Sequence, residues 1–150
     1  MDSSRQAMAV ELERMIKAPA SRIWAIISSE DGMRSWLGPR TFEAQPGGRV
    51  LFDVTHDGTR WLMFGNVLEL TPLQRICFSW QEFDTGTLIA WPEPTVISIS
   101  LAEQETGCMV RLSHTGFEKL PDAARELEGY VTGWTSRDVL AGLAALAEQS

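Results

Sequence analysis

At 150 residues the chain has the length of one domain, able to bury about 70% of the surface its unfolded form exposes. Its 44% hydrophobic and 22% charged content is ordinary for a globular protein, and the net charge of −7 argues against non-specific binding to nucleic acid or an anionic membrane, both of which need a positive field. Six tryptophans are many for this length, and such rings line ligand pockets as well as cores. Cys77 and Cys108 lack the spacing of a zinc site or a redox pair, and MDSSRQAMAV lacks the basic and apolar regions of a signal peptide. No run approaches membrane-spanning length. The expectation is a cytoplasmic protein with free thiols.

In chain order, residues 1–7 read as a loose polar tail. Met8–Lys17 reads as a strand with Val10 and Leu12 on one side and Glu11 and Glu13 on the other, ended by Ala18–Pro19. Ile23, Trp24 and Ile27 follow at helical spacing. Ser29 is the N-cap of a second short helix, with Glu30 and Asp31 in its first turn, Met33, Trp36 and Leu37 as its buried face, and Gly38–Pro39 as its stop.

Thr41–Ala44 can form a short strand, residues 46–48 a turn, and Arg49–His56 a strand closed by a hairpin turn at Asp57–Gly58. Trp61–Leu70 is a long strand in which Gly65 marks a bulge or a close approach. Its frame is ambiguous: Trp61, Met63 and Val67 compete with Phe64, Leu68 and Leu70, and the second set is assigned inward because it leaves Glu69 in water. Ile76, Phe78 and Trp80 alternate with Cys77, Ser79 and Gln81. Residues 83–94 read as a looser loop holding Trp91. In Thr95–Leu101 the inward residues are Ile97, Ile99 and Leu101, and after the turn at 105–107 Val110, Leu112 and His114 share a face.

Leu120–Ser150 is rich in strong helix formers, with Pro121 near its start and Asp122 and Glu126 at its positive dipole end. Leu140, Leu143 and Ala147, widened by Val139 and Leu146, form an apolar stripe that Tyr130 and Trp134 extend. Gly129 and Gly133 each cost about 1 kcal/mol relative to Ala, so a bend or a close backbone approach is expected there. Segregated helices with strands in meander order imply an α+β fold: one curved antiparallel sheet of six or seven strands wrapped around the long C-terminal helix, with two short helices between the first two strands. Residues 1–150 form one domain on this reading.

Ala18–Pro19, Ile23–Trp24, Trp36-Leu37-Gly38-Pro39 and Gly47-Gly48-Arg49 resemble the opening of a START-like (SRPBCC) helix-grip domain, and more narrowly the branch related to the C-terminal domain of the heat-shock-protein-90 ATPase activator. Residues 65–72 (GNVLELTP), Phe78-Ser79-Trp80, residues 112–117 (LSHTGF) and Gly133–Trp134 continue the resemblance, which spans roughly residues 8–148. It implies a sheet gripping a helix over an apolar cavity. That superfamily hosts carriers, cyclases, resistance proteins and a chaperone activator, so the fold supplies no chemistry by itself.

Three functions follow from the residues. The leading expectation is binding of a small apolar or aromatic molecule between sheet and C-terminal helix, without catalysis and without cofactor or metal. Its lining is assigned to Phe52, Phe64, Leu68, Phe78, Trp80, Ile97, Ile99, Val110, Leu112, His114, Tyr130 and Trp134. The alternatives are a protein-interaction module using the outer sheet face or an exposed Leu88, Ile89 and Trp91, with a chaperone, another protein or a second copy as partner, or a cyclase- or hydrolase-like enzyme with His114 as acid–base. Asp53 and Glu69 fall outside, His56 lies at a hairpin turn, Cys77 faces outward or toward a flanking loop, and no carboxylate pair, catalytic triad or metal-spaced cluster stands out.

Overall fold

Alternation of apolar and polar residues puts one dry face on each of the main strands, and these faces merge into a single curved surface. The computed structural model describes residues 8–149; the expected N-terminal tail at 1–7 lies outside them. The strands are β1 (Ala9–Ile16), β2 (Thr41–Phe42), β3 (Arg49–His56), β4 (Thr59–Thr71), β5 (Arg75–Asp84), β6 (Ile89–Ala90), β7 (Thr95–Gln104) and β8 (Gly107–Thr115). Spatial order is β1-β8-β7-β5-β4-β3-β2 with every pairing antiparallel, and β6 adds to β5. The Asp57–Gly58 hairpin has both residues at positive φ (50° and 79°), the requirement of the two-residue turn that matches strand twist.

The frame of β4 is resolved by a bulge. Phe64 pairs with Gln81 and Val67 with Phe78, but Glu69 pairs with Cys77, a shift of one residue at Leu68. Met63 and Val67 therefore face the core before the bulge and Leu70 packs against the core after it, so neither of the two candidate frames holds along the whole strand. This corrects the assignment of Phe64 and Leu68: they lie on the outer face, 40% and 56% exposed. Gly65 is a close approach rather than the bulge, since a Cβ there would fall on the Ser79 carbonyl oxygen.

Helices α1 (Ala20–Ile27) and α2 (Glu30–Trp36) connect β1 to β2. Pro19 provides no capping side chain for α1, and the Glu103 carboxylate of β7 accepts the Ala20 N–H instead, at 3.2 Å to each oxygen. Ser29 caps α2 by accepting the Gly32 N–H at 3.0 Å, as its position before Glu30 and Asp31 requires.

The C-terminal helix is two helices, α3 (Ala123–Arg137) and α4 (Val139–Ala147). The break is at Asp138, left-handed at φ 45°, and not at Gly129–Gly133, which are both helical. Asp is one of the few residues with a side chain that tolerates that conformation. The break lets α4 turn Val139, Leu140, Leu143, Ala144 and Ala147 into the core beside α1, α2 and β1. Only Trp134 of α3 is fully buried. The sheet's concavity is thus filled at the α4 end and bridged at the α3 end.

Candidate functional site

Interlocked aromatic rings hold α3 to the sheet. Trp80 contacts Phe52, Tyr130, Trp134 and His114, with ring centroids 4.9 to 6.2 Å apart. Phe117, in the 3-10 turn Phe117–Lys119 that follows β8, packs on His114 at 4.6 Å and Tyr130 at 5.5 Å. Their polar atoms pair with one another, as buried Trp and Tyr require. Trp80 Nε1 donates to Tyr130 Oη at 2.9 Å, and Tyr130 Oη donates to Glu82 Oε2 at 2.6 Å. One turn earlier, Glu126 Oε2 accepts from Trp91 Nε1 at 3.1 Å.

His114 is fully buried among these rings. The Thr95 hydroxyl donates to the Trp80 carbonyl at 3.1 Å, so it accepts from His114 Nε2 at 2.6 Å. That places the ring proton on Nε2 and leaves Nδ1 to accept from Trp134 Nε1 at 3.1 Å. Burial lowers the pKa of His114 from 6.5 to about 3. The imidazole is therefore neutral, with both nitrogens occupied, and ties β7, β8 and α3 together.

Between α3 and strands β3, β4 and β5 opens a cleft of 380 Å³. Its wall consists of Val54, His56, Trp61, Met63, Glu82, Glu126, Gly129, Tyr130 and Gly133. A smaller hollow of 110 Å³ shares Val54, Met63, Tyr130 and Gly133 with it and extends to the buried Phe52, Trp80 and Trp134 and to the exposed Arg137. Gly129 and Gly133, four residues apart on α3, present bare backbone to the cleft, and a Cβ on either would meet no atom within 4 Å. Burial, followed by the charges of Glu126 and Asp84, raises the Glu82 pKa, while the Tyr130 hydroxyl partly offsets this. Burial and the Glu82 charge push Tyr130 well above its ordinary value, so it remains a hydrogen-bond donor.

Of the twelve residues assigned from sequence to a cavity, Phe52, Trp80, Tyr130 and Trp134 line this recess. Phe78, Ile97, Ile99, Val110, Leu112 and His114 share their inward orientation but sit in solid core, and Phe64 and Leu68 are on the opposite face. Residues 83–94 are more ordered than expected: β5 continues to Asp84 and β6 pairs with it. Leu88 and Ile89 are exposed, but Trp91 is buried, contrary to expectation, against Phe117 and Tyr130.

Sequence reading also missed that Glu82 and Glu126 line the same cleft. The two are 44 positions apart, so no local spacing could reveal it. Alternation alone places Glu82 on the Trp80 side of β5, which was the available signal. Asp53 lies on the outer face between Arg60 (2.8 Å) and Arg40 (3.0 Å), and hydrogen bonding to Arg60 holds its carboxyl below the ordinary value. Cys77 is on the outer face yet buried, 3.2 Å from the Ser98 hydroxyl, while Cys108 is in the core; burial raises both thiols, which opposes thiolate reactivity. Among the described residues no group of three His, Cys, Asp or Glu side chains converges as a metal site, and no helix is long and apolar enough to cross a membrane.

Comparison with known proteins fits this architecture. A family profile described as "Activator of Hsp90 ATPase homolog 1-like protein" matches residues 17–148. Among solved structures, protein CV1439 from Chromobacterium violaceum is 26% identical, with 95% of this chain and 98% of that chain covered and a TM-score of 0.73. Protein MLL2253 from Mesorhizobium loti is 23% identical over 92% and 95% of the two chains, with a TM-score of 0.70. The Aha1 dimer from Colwellia psychrerythraea, 20% identical over 93% and 96%, has a TM-score of 0.64. The comparison with curated proteins returns no match. A START-like grip of sheet on helix, recovered here by profile and by shape, makes this chain a member of the activator of Hsp90 ATPase homolog 1-like family.

Proposed function

We propose that the chain binds a small apolar or aromatic molecule, without catalysing a reaction, in the recess between α3 and the β3–β4–β5 corner. The observation that carries this reading is the open space beside Gly129 and Gly133. Two glycines within a helix cost about 2 kcal/mol together relative to Ala, and no neighbouring side chain needs the room they leave. A molecule seated against the helix backbone would use it. The wall behind them is predominantly apolar and aromatic, as in small-molecule sites generally. An acid–base role for His114 gains no support, because its ring lies outside the recess wall and both nitrogens are engaged.

The test is direct binding of 1-naphthylmethanol by isothermal titration calorimetry, with native mass spectrometry of the protein as purified. Saturable one-to-one binding, lost in Gly133→Leu, supports the reading. Absence of any binding, or binding unchanged in that variant, contradicts it.

A second reading, contact with a chaperone, another protein or a second copy, rests on the outer sheet face. Phe64 and Leu68 are exposed there, and a 390 Å³ hollow lies between Arg49, Leu51, Phe64 and Asn66. Its test is sedimentation and partner capture with Phe64→Ser/Leu68→Ser. Trp91→Ser would be uninformative because Trp91 is part of the core.

A further inference from the structure

The recess is not uniformly apolar. Glu82 on β5 and Glu126 on α3 face the outer cleft, one from each side. Each has one oxygen committed to an aromatic donor, Glu82 Oε2 to the Tyr130 hydroxyl and Glu126 Oε2 to the Trp91 indole. These bonds fix the orientation of both carboxylates and leave Oε1 of each without a protein donor among the described residues. Neither carboxylate belongs to an ion pair there, whereas Asp53, Glu43, Glu13, Glu30 and Glu69 all do. The ring of Trp61 also lines the outer cleft, and an indole face attracts cations. The one basic group certain to be charged in the wall, Arg137, is exposed and borders only the inner hollow.

Resting on the binding function proposed above, we infer that the preferred ligand is an amphipathic organic cation: an apolar or aromatic body held against the apolar wall formed by Val54, Trp61, Met63 and Tyr130, with an ammonium group at Glu82 and Glu126. Two convergent carboxylates without a countercharge constitute a standing electrostatic cost, and an ammonium with its own hydrogen-bond donors relieves it. A neutral ligand would leave this cost in place, and a carboxylate ligand would add to it.

Three probes with the same aromatic body separate these cases: 1-naphthylmethylammonium, 1-naphthylmethanol and 1-naphthylacetate, titrated by calorimetry at pH 7 and low ionic strength. The ammonium should bind at least tenfold more tightly than the alcohol, and the acetate most weakly. Glu82→Gln and Glu126→Gln keep an acceptor for Tyr130 and Trp91, so both should fold. Each should reduce the ammonium-to-alcohol ratio severalfold, and added salt should reduce the ratio in the wild type. Equal binding of ammonium and alcohol, a ratio unchanged in both variants, or tightest binding of the acetate would overturn the inference while the recess itself remained a binding site. Failure of all three probes to bind would overturn both readings.

Discussion

Replacing Gly129 and Gly133 by alanine should make the protein more stable and less able to bind. Both glycines lie inside α3, where Ala is favoured by about 0.8–1.0 kcal/mol per position. The usual counterweight, a clash with a neighbour, is missing, because a Cβ at either position meets no atom within 4 Å. The full propensity gain should therefore appear, about 2 kcal/mol for the pair. For a domain of this size 1 kcal/mol corresponds to roughly 2–4 °C, so the double variant should melt about 4–8 °C higher. Both positions belong to the recess wall, and affinity for 1-naphthylmethanol should fall at least fivefold. Differential scanning calorimetry and titration on the same sample check both halves. A lower melting temperature would show that α3 needs its glycines for packing; a higher one with undiminished binding would show that the recess is not where the probe sits.

Other perturbations report on the supporting structure. His114, held at a pKa of about 3, binds fewer protons folded than unfolded between that value and 6.5. Its contribution is complete above pH 6.5 and is lost as pH falls. Relative to His114→Gln, the wild type should lose about 1.4 kcal/mol per pH unit below 6.5, or about 2.7 kcal/mol by pH 4.5, read from urea unfolding at several pH values; parallel curves would refute the buried neutral imidazole. Tyr130→Phe leaves the Trp80 indole N–H without its acceptor and should cost about 1–3 kcal/mol, with a changed tryptophan emission spectrum. Phe78→Ala removes a fully buried ring and should cost about 3–5 kcal/mol, whereas Leu68→Ser on the outer face should stay within about 0.5 kcal/mol. A large loss in Leu68→Ser would restore the frame that the bulge excludes.

These residues also show what a sequence can disclose. Alternation along β5, β7 and β8 was sufficient to orient Ile76, Phe78, Trp80, Ile97, Ile99, Val110, Leu112 and His114, because period-two patterning is set by one dry face. It failed in β4, where two frames coexist and the bulge at Leu68 has no local signature once Gly65 offers a more conspicuous candidate. The helix breaks at Asp138 instead, and Tyr130 and Trp134, each adjacent to a glycine, are tied to the sheet through Glu82, Trp80 and His114. Those anchors are long-range and invisible to propensity. Inward orientation, furthermore, does not separate a cavity wall from a solid core; that depends on α4 filling one end of the sheet while α3 spans the other. For the same reason the approach of Glu126 to Glu82 was beyond local pattern, as was the covering of Trp91 by Phe117 and Tyr130.

The recess can be interrogated residue by residue through its indoles. The chain has six tryptophans, and a 15N correlation spectrum resolves each side-chain N–H. On addition of 1-naphthylmethanol, the resonances of Trp61, Trp80 and Trp134 should move together along one saturation curve, while those of Trp24 and Trp36, away from the recess wall, stay in place. Saturable shifts confined to Trp24 and Trp36, or none at all, would contradict a binding site between α3 and the sheet.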